Sequence, residues 1–178
     1  MPPPASWFWI CANGTDVGHG DLELTLESPE LVPAFNAEPH AIAFDPATHR
    51  LFIGSRVKKG HLYKPGKLVI MDSDSGKVID AIDTEGGADE LEFDAPTKRI
   101  YYTGTTGNID VFKQRDADHY DRLGLVPTGA IAKTSLLVPE LKRFYSLVPK
   151  HIILTPPIPQ AKEAAIEDAK IMVYEVLP

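Results

Sequence analysis

Pro39-His40-Ala41-Ile42-Ala43-Phe44-Asp45-Pro46-Ala47-Thr48-His49-Arg50-Leu51-Phe52-Ile53-Gly54 decides the fold, because the chain repeats it. It recurs without gaps as Ala88-Asp89-Glu90-Leu91-Glu92-Phe93-Asp94-Ala95-Pro96-Thr97-Lys98-Arg99-Ile100-Tyr101-Tyr102-Thr103. A looser third copy runs from Lys133-Thr134-Ser135-Leu136-Leu137 through Pro139-Glu140-Leu141-Lys142-Arg143-Phe144-Tyr145-Ser146. One column holds Arg50, Arg99 and Arg143; the next holds Leu51, Ile100 and Phe144; the next holds Phe52, Tyr101 and Tyr145. A fixed period of 40–50 residues is the mark of propellers and repeat arrays.

Each copy reads as a hairpin. A short apolar strand ends at an Asp-Pro or Asp-Ala-Pro turn, where proline fixes φ and aspartate accepts backbone hydrogen bonds. A second strand of β-branched and aromatic residues follows. Third strands align as Lys67-Leu68-Val69-Ile70-Met71-Asp72, Asn108-Ile109-Asp110-Val111-Phe112-Lys113 and Lys170-Ile171-Met172-Val173-Tyr174-Glu175. Fourth strands are Lys77-Val78-Ile79-Asp80-Ala81-Ile82 and Tyr120-Asp121-Arg122-Leu123-Gly124-Leu125. The fold class is therefore all-β: about three four-stranded antiparallel meanders, whose faces are covered only by stacking on one another as β-propeller blades. A β-sandwich is the competing architecture, but sandwiches do not generally repeat one four-strand pattern in register.

The expected organisation is an N-terminal segment, 1–35, ahead of a repeat region, 36–178, with blades near 36–84, 85–128 and 129–178. The third copy lacks a fourth strand, and Leu22-Glu23-Leu24-Thr25-Leu26 has the alternation to supply one from the chain's beginning. Closed propellers have four to eight blades, so this length reads as a half-propeller. Its ring is expected to be completed by oligomerisation, two chains making six blades by the simplest arithmetic, or else the chain is part of a longer propeller. Bare blade faces and sheet edges invite such association.

Composition narrows the function classes. Of 178 residues, 43% are hydrophobic and 24% charged, with a formal net charge of −7, a balance unsuited to general nucleic-acid or anionic-membrane binding. The single cysteine, Cys11, excludes an intrachain disulfide framework. No run approaches the ~20 apolar residues of a membrane helix. The start, with Trp7, Phe8 and Trp9, lacks the basic region of a secretory signal; that aromatic cluster suits packing on a blade or a partner interface. Compartment stays open.

The run Arg99-Ile100-Tyr101-Tyr102-Thr103-Gly104 resembles the second-strand signature of the YVTN-type bacterial β-propeller repeat family, and Asp72-Ser73-Asp74-Ser75-Gly76-Lys77-Val78 resembles its turn between third and fourth strands. Gly107-Asn108-Ile109-Asp110-Val111-Phe112 and Ala117-Asp118-His119-Tyr120 look like the C-terminal blades of secreted members. The resemblance covers roughly residues 36–178. It implies blades of a seven-bladed propeller about twice this length and a secreted or periplasmic setting. The family's activity is mostly undefined. The Trp-rich start and the 152–169 stretch have no counterpart in it.

In a propeller the first strand of each blade lies nearest the central channel. The column at its start is His40, Asp89 and Lys133, and Glu90 opens the next column. A histidine with carboxylates at one height can bind a divalent metal or serve as acid and base; a polar channel lining is the plainer alternative. Asp116, Asp118 and His119 are weaker candidates, in an acidic loop that lacks the glycine and distal glutamate of a calcium loop. His49 shares a turn column with Lys98 and Lys142, and the basic stretch 56–64 reads as a solvated hairpin tip that could meet an anionic partner. The leading functional expectation is a non-catalytic scaffold for a protein or small-molecule ligand, with homo-oligomerisation. The alternative is a metal-assisted lyase or hydrolase using His40 with Asp89 or Glu90. A third is an accessory subunit of a redox enzyme, which the resemblance allows.

Overall fold

The computed structural model describes residues 38–59, 62–85, 87–129, 131–150 and 168–178. The closing-strand candidate 22–26, the Trp-rich start, Cys11, His61 and most of the 152–169 stretch lie outside the described residues. The sheets belong to one compact unit, Phe35–Pro178.

The described residues form three antiparallel meanders in chain order. Blade 1 is β1 (Glu38–Asp45), β2 (Arg50–Lys59), β3 (Leu62–Asp72) and β4 (Val78–Asp83), each paired with the next. Blade 2 is β5 (Ala88–Asp94), β6 (Arg99–Gly104), β7 (Asn108–Gln114) and β8 (Tyr120–Pro127). Blade 3 has three strands, β9 (Thr134–Val138), β10 (Arg143–Val148) and β11 (Lys170–Glu175), with β10 in the middle. These are propeller blades. The basic stretch 56–64 differs from expectation. The β2–β3 ladder continues through Val57↔Lys64 to Lys59↔Leu62, so most of that stretch is strand.

The repeat extends to the backbone. Asp45 accepts from Ala47 N at 3.0 Å and from the Thr48 hydroxyl, and Thr97 donates to Asp94 in the equivalent turn. Each turn then ends in a left-handed residue at the same column: His49 (φ 55°), Lys98 (φ 51°) and Lys142 (φ 51°). That conformation closes the hairpin at a local cost for residues bearing a Cβ. In blade 3 the turn includes a short 3-10 segment, Pro139–Leu141.

Two seams hold the blades together. Phe52, Leu68 and Ile70 of blade 1 meet Leu91, Ile100, Tyr102 and Phe112 of blade 2. Tyr101, Ile109 and Val111 of blade 2 meet Leu137 and Phe144 of blade 3. Phe52, Tyr101 and Tyr145 are column mates, so the first two face the following blade; in blade 3, Ile171 and Val173, mates of Leu68 and Ile70, stand 63% and 56% exposed. Polar ties cross both seams. Tyr102 donates its hydroxyl to Ser55 O at 3.0 Å, and the buried Gln114 donates Nε2 to Asp45 Oδ2 at 3.0 Å. The arginine column repeats as well. Arg50 reaches Ala117 O (3.2 Å) and Asp118 (2.8 Å) past the third strand of blade 2. Arg99 donates to Leu177 O and to Pro178 O (3.1 Å) past the third strand of blade 3.

Candidate functional site

The first strands of blades 1 and 2 begin with matching irregularities. In the β1–β2 ladder Pro39 pairs with Ser55 and Ala41 with Gly54, leaving His40 out of register. In the β5–β6 ladder Ala88 pairs with Gly104 and Glu90 with Thr103, leaving Asp89 out. A bulge places an extra residue in one strand and re-aims its side chain. The β2–β3 ladder also breaks register beside Arg56, where Ser55 pairs with Lys67 and Val57 with Lys64, so that the extra residue lies in β3. Lys133 sits one residue ahead of β9.

These residues converge on one carboxylate. Arg56 Nη1 donates to Asp89 Oδ1 at 3.3 Å, His40 Nδ1 stands 3.6 Å from the same oxygen, and Lys133 Nζ lies 3.7 Å from Oδ2. The Asp89 side chain is 8% exposed, whereas His40 and Lys133 keep about two-fifths of theirs in solvent. Oδ2 is buried and accepts no hydrogen bond from the described residues. The structure thus brings together the first-strand column His40, Asp89 and Lys133 from three blades. It adds Arg56, which had read as part of a hairpin tip.

Glu90 follows Asp89 and is half-buried; burial, and then the Asp89 charge, push its carboxyl above the usual range. Burial also raises Glu92, against the opposing effect of a hydrogen bond from Leu137 N at 3.1 Å, which ties β5 to β9. Chemically, the centre is a buried anion ringed by two permanent cations and a histidine. A divalent ion would have to displace or repel Arg56 and Lys133 to reach Asp89. The donor set suits hydrogen bonding to a polar ligand through the exposed ends of His40 and Lys133.

The weaker loop candidates are otherwise engaged. Asp116 Oδ1 accepts from the backbone of Asp118 (2.9 Å) and His119 (3.0 Å) and faces His119 Nδ1 at 2.9 Å. Backbone bonding to Asp118 leads in holding the Asp116 carboxyl below its usual range, and Asp116 raises His119 in return. Asp118 binds Arg50 across the seam. These groups shape and dock the β7–β8 loop. His49, in its turn, pairs with Asp74 at 2.8 Å.

No family model matches the sequence, and no curated protein matches it. Solved structures do. The Cps50 (Swd1) β-propeller domain of Myceliophteria thermophila aligns with 62% of this chain at 12% identity and a TM-score of 0.44. A putative 6-phosphogluconolactonase from Bacteroides uniformis aligns with 66% at 15% identity and a TM-score of 0.39. The chain spans 36% and 49% of those two proteins.

Proposed function

We propose that this chain is a non-catalytic binding scaffold of YVTN-type propeller blades, presenting His40 and Lys133 around Asp89 as the contact point for a small polar ligand or protein loop. The observation that carries this reading is the convergence of three blades and Arg56 on Asp89. The Asp89 charge is compensated by Arg56 and Lys133, and two side-chain ends still reach solvent. The YVTN assignment rests on the Arg99–Gly104 strand and the 72–78 turn.

Self-association belongs to the same proposal. The columns that bury Phe52, Leu68 and Ile70 in one seam and Tyr101, Ile109 and Val111 in the next continue into blade 3 as Tyr145, Ile171 and Val173, beside exposed Leu136 and Leu147. A sheet face of this composition supports a further blade-like partner, and a second copy is the partner proposed.

Elemental analysis with divalent-metal titration of wild type and His40→Ala tests the binding reading. Absence of tight binding in both supports the scaffold. Tight, His40-dependent metal binding overturns it in favour of a metal-assisted lyase or hydrolase. Light scattering tests self-association: a mass of two or more chains supports it, and a monomer refutes it.

A further inference from the structure

We infer that the cleft between blades 2 and 3 is a second binding site, for an amphipathic carboxylate whose acid group meets Arg99 and whose hydrocarbon or aromatic body fills the apolar cavity beside it. The acid group is called for by one rung of the repeat. In blade 1, Arg50 stands opposite Asp72 across the β2–β3 ladder and bonds it at 2.5 Å. In blade 3, Arg143 stands opposite Glu175 and pairs with it at 3.8 Å. In blade 2 the same rung is Arg99 opposite Lys113, so a second cation takes the place of the acid.

The partner across the seam changes as well. Arg50 reaches the Asp118 carboxylate at 2.8 Å, whereas Arg99 donates to the backbone oxygens of Leu177 and Pro178. Arg99 Nε is buried with no hydrogen-bond partner among the described residues, and Lys113 Nζ donates to Thr97 O at 2.5 Å. Neither cation pairs with an Asp or Glu side chain among the described residues. Asp94, opposite Arg99 on β5, does not make up the difference, because its mate Asp45 stands opposite Arg50 in addition to Asp72 and Asp118. Two like charges on one rung favour an anion beside them.

That rung points at the cavity. Two steps along each strand from Arg99 and Lys113 lie Tyr101 and Val111, which face blade 3. There a cavity of about 320 Å³ has Arg99 in its wall and Ile109, Val111, Val126 and Phe144 as its apolar lining. That volume lies at the low end for small-molecule sites, which are mostly apolar with a few fixed polar groups. Leu123 and Leu125 also line it, yet they are 51% and 42% exposed. A Cβ at Gly124 would meet no atom within 4 Å. Glu175, the acid in the lining, is engaged by Arg143. A wholly apolar guest would leave the cation rung unanswered, and a small anion would leave the leucines in water. A carboxylate on a body of roughly ten non-hydrogen atoms answers both. This is independent of the ligand reading at Asp89.

Calorimetric titration of the full chain with octanoate, octanol and acetate tests the site. Octanoate shares its body with octanol and its charge with acetate. Wild type is expected to bind octanoate at least about tenfold more tightly than octanol, the weight of one charge-assisted bond, and to give no measurable heat with acetate. Arg99→Gln should erase that preference, and Lys113→Gln, which leaves the Leu177 and Pro178 bonds in place, should reduce it. Octanoate should shift the methyl NMR signals of Ile109, Val111 and Val126, and Lys133→Gln at the Asp89 centre should leave its affinity unchanged. The inference is overturned if octanoate does not bind, binds no more tightly than octanol, keeps its full preference in both rung variants, shifts methyls elsewhere, or is lost in Lys133→Gln.

Discussion

Arg122 and Asp110 permit a prediction whose order runs against exposure. Arg122 Nε and Nη2 donate to the two Asp110 oxygens at 2.6 and 2.8 Å, and Glu85 N donates to Oδ2 at 3.0 Å. The Asp110 side chain is 1% exposed, the Arg122 side chain 39%. Arg122→Met keeps the aliphatic stem but leaves a buried carboxylate with one backbone donor, a loss of about 3–5 kcal/mol. Asp110→Ala removes the buried charge itself, and the half-solvated guanidinium returns to water. The loss is then one charge-assisted interaction, about 2 kcal/mol. The double variant should resemble Asp110→Ala alone, giving a coupling of about 3–5 kcal/mol in magnitude, the whole cost of Arg122→Met. Urea unfolding followed by fluorescence, with all three variants at one ionic strength, measures this. On heating, Arg122→Met should melt roughly 10 °C or more below wild type. A greater loss for Asp110→Ala than for Arg122→Met, or a coupling within about 0.5 kcal/mol of zero, would refute the reasoning.

Lys98→Gly relieves a left-handed residue at φ 51° and should stabilise by about 1 kcal/mol in thermal unfolding. Tyr102→Phe deletes the buried hydroxyl bonded to Ser55 O and should cost about 1–1.5 kcal/mol by denaturant titration. Gly66→Ala would set a Cβ 2.2 Å from Ser55 O and 2.7 Å from the Tyr102 hydroxyl; backbone cannot yield there, so loss of at least about 3 kcal/mol or failure to fold is expected in a solubility and melting assay. Asp45 titrates below its ordinary 3.8, because bonds from Thr48, Gln114 and the 47–48 backbone outweigh the opposing effect of burial. Its contribution is present above pH 3.8 and lost as pH falls through the lower folded value, so Asp45→Asn should flatten the acid limb of a stability–pH curve.

Most of the architecture was legible because strand, turn and column recur together. The Asp-turn sequences 45–50 and 94–99 and the Arg50, Arg99 and Arg143 column reflect one repeated backbone path. The first-strand column also placed His40, Asp89 and Lys133 at one height. What could not be read was aim. Bulges at His40 and Asp89 are register events between two strands, and neither strand encodes them alone. The extended β2–β3 hairpin was hidden because lysines at 58, 59 and 64 look like a tip, whereas cross-strand pairing decides strand length. The acidic 116–121 loop looked ligand-like because its composition is indifferent to whether carboxylates face a cation or, as with Asp118, an arginine of the neighbouring sheet.

Tyr101 and Tyr102 are joined by a single peptide link yet lie in opposite seams. A slide of β6 by one residue would therefore empty both hydrophobic contacts at once and drive each ring into the wrong neighbour. Alignment of the central sheet is thus checked from two directions, and an error there could not be absorbed by one flank while the other stayed intact.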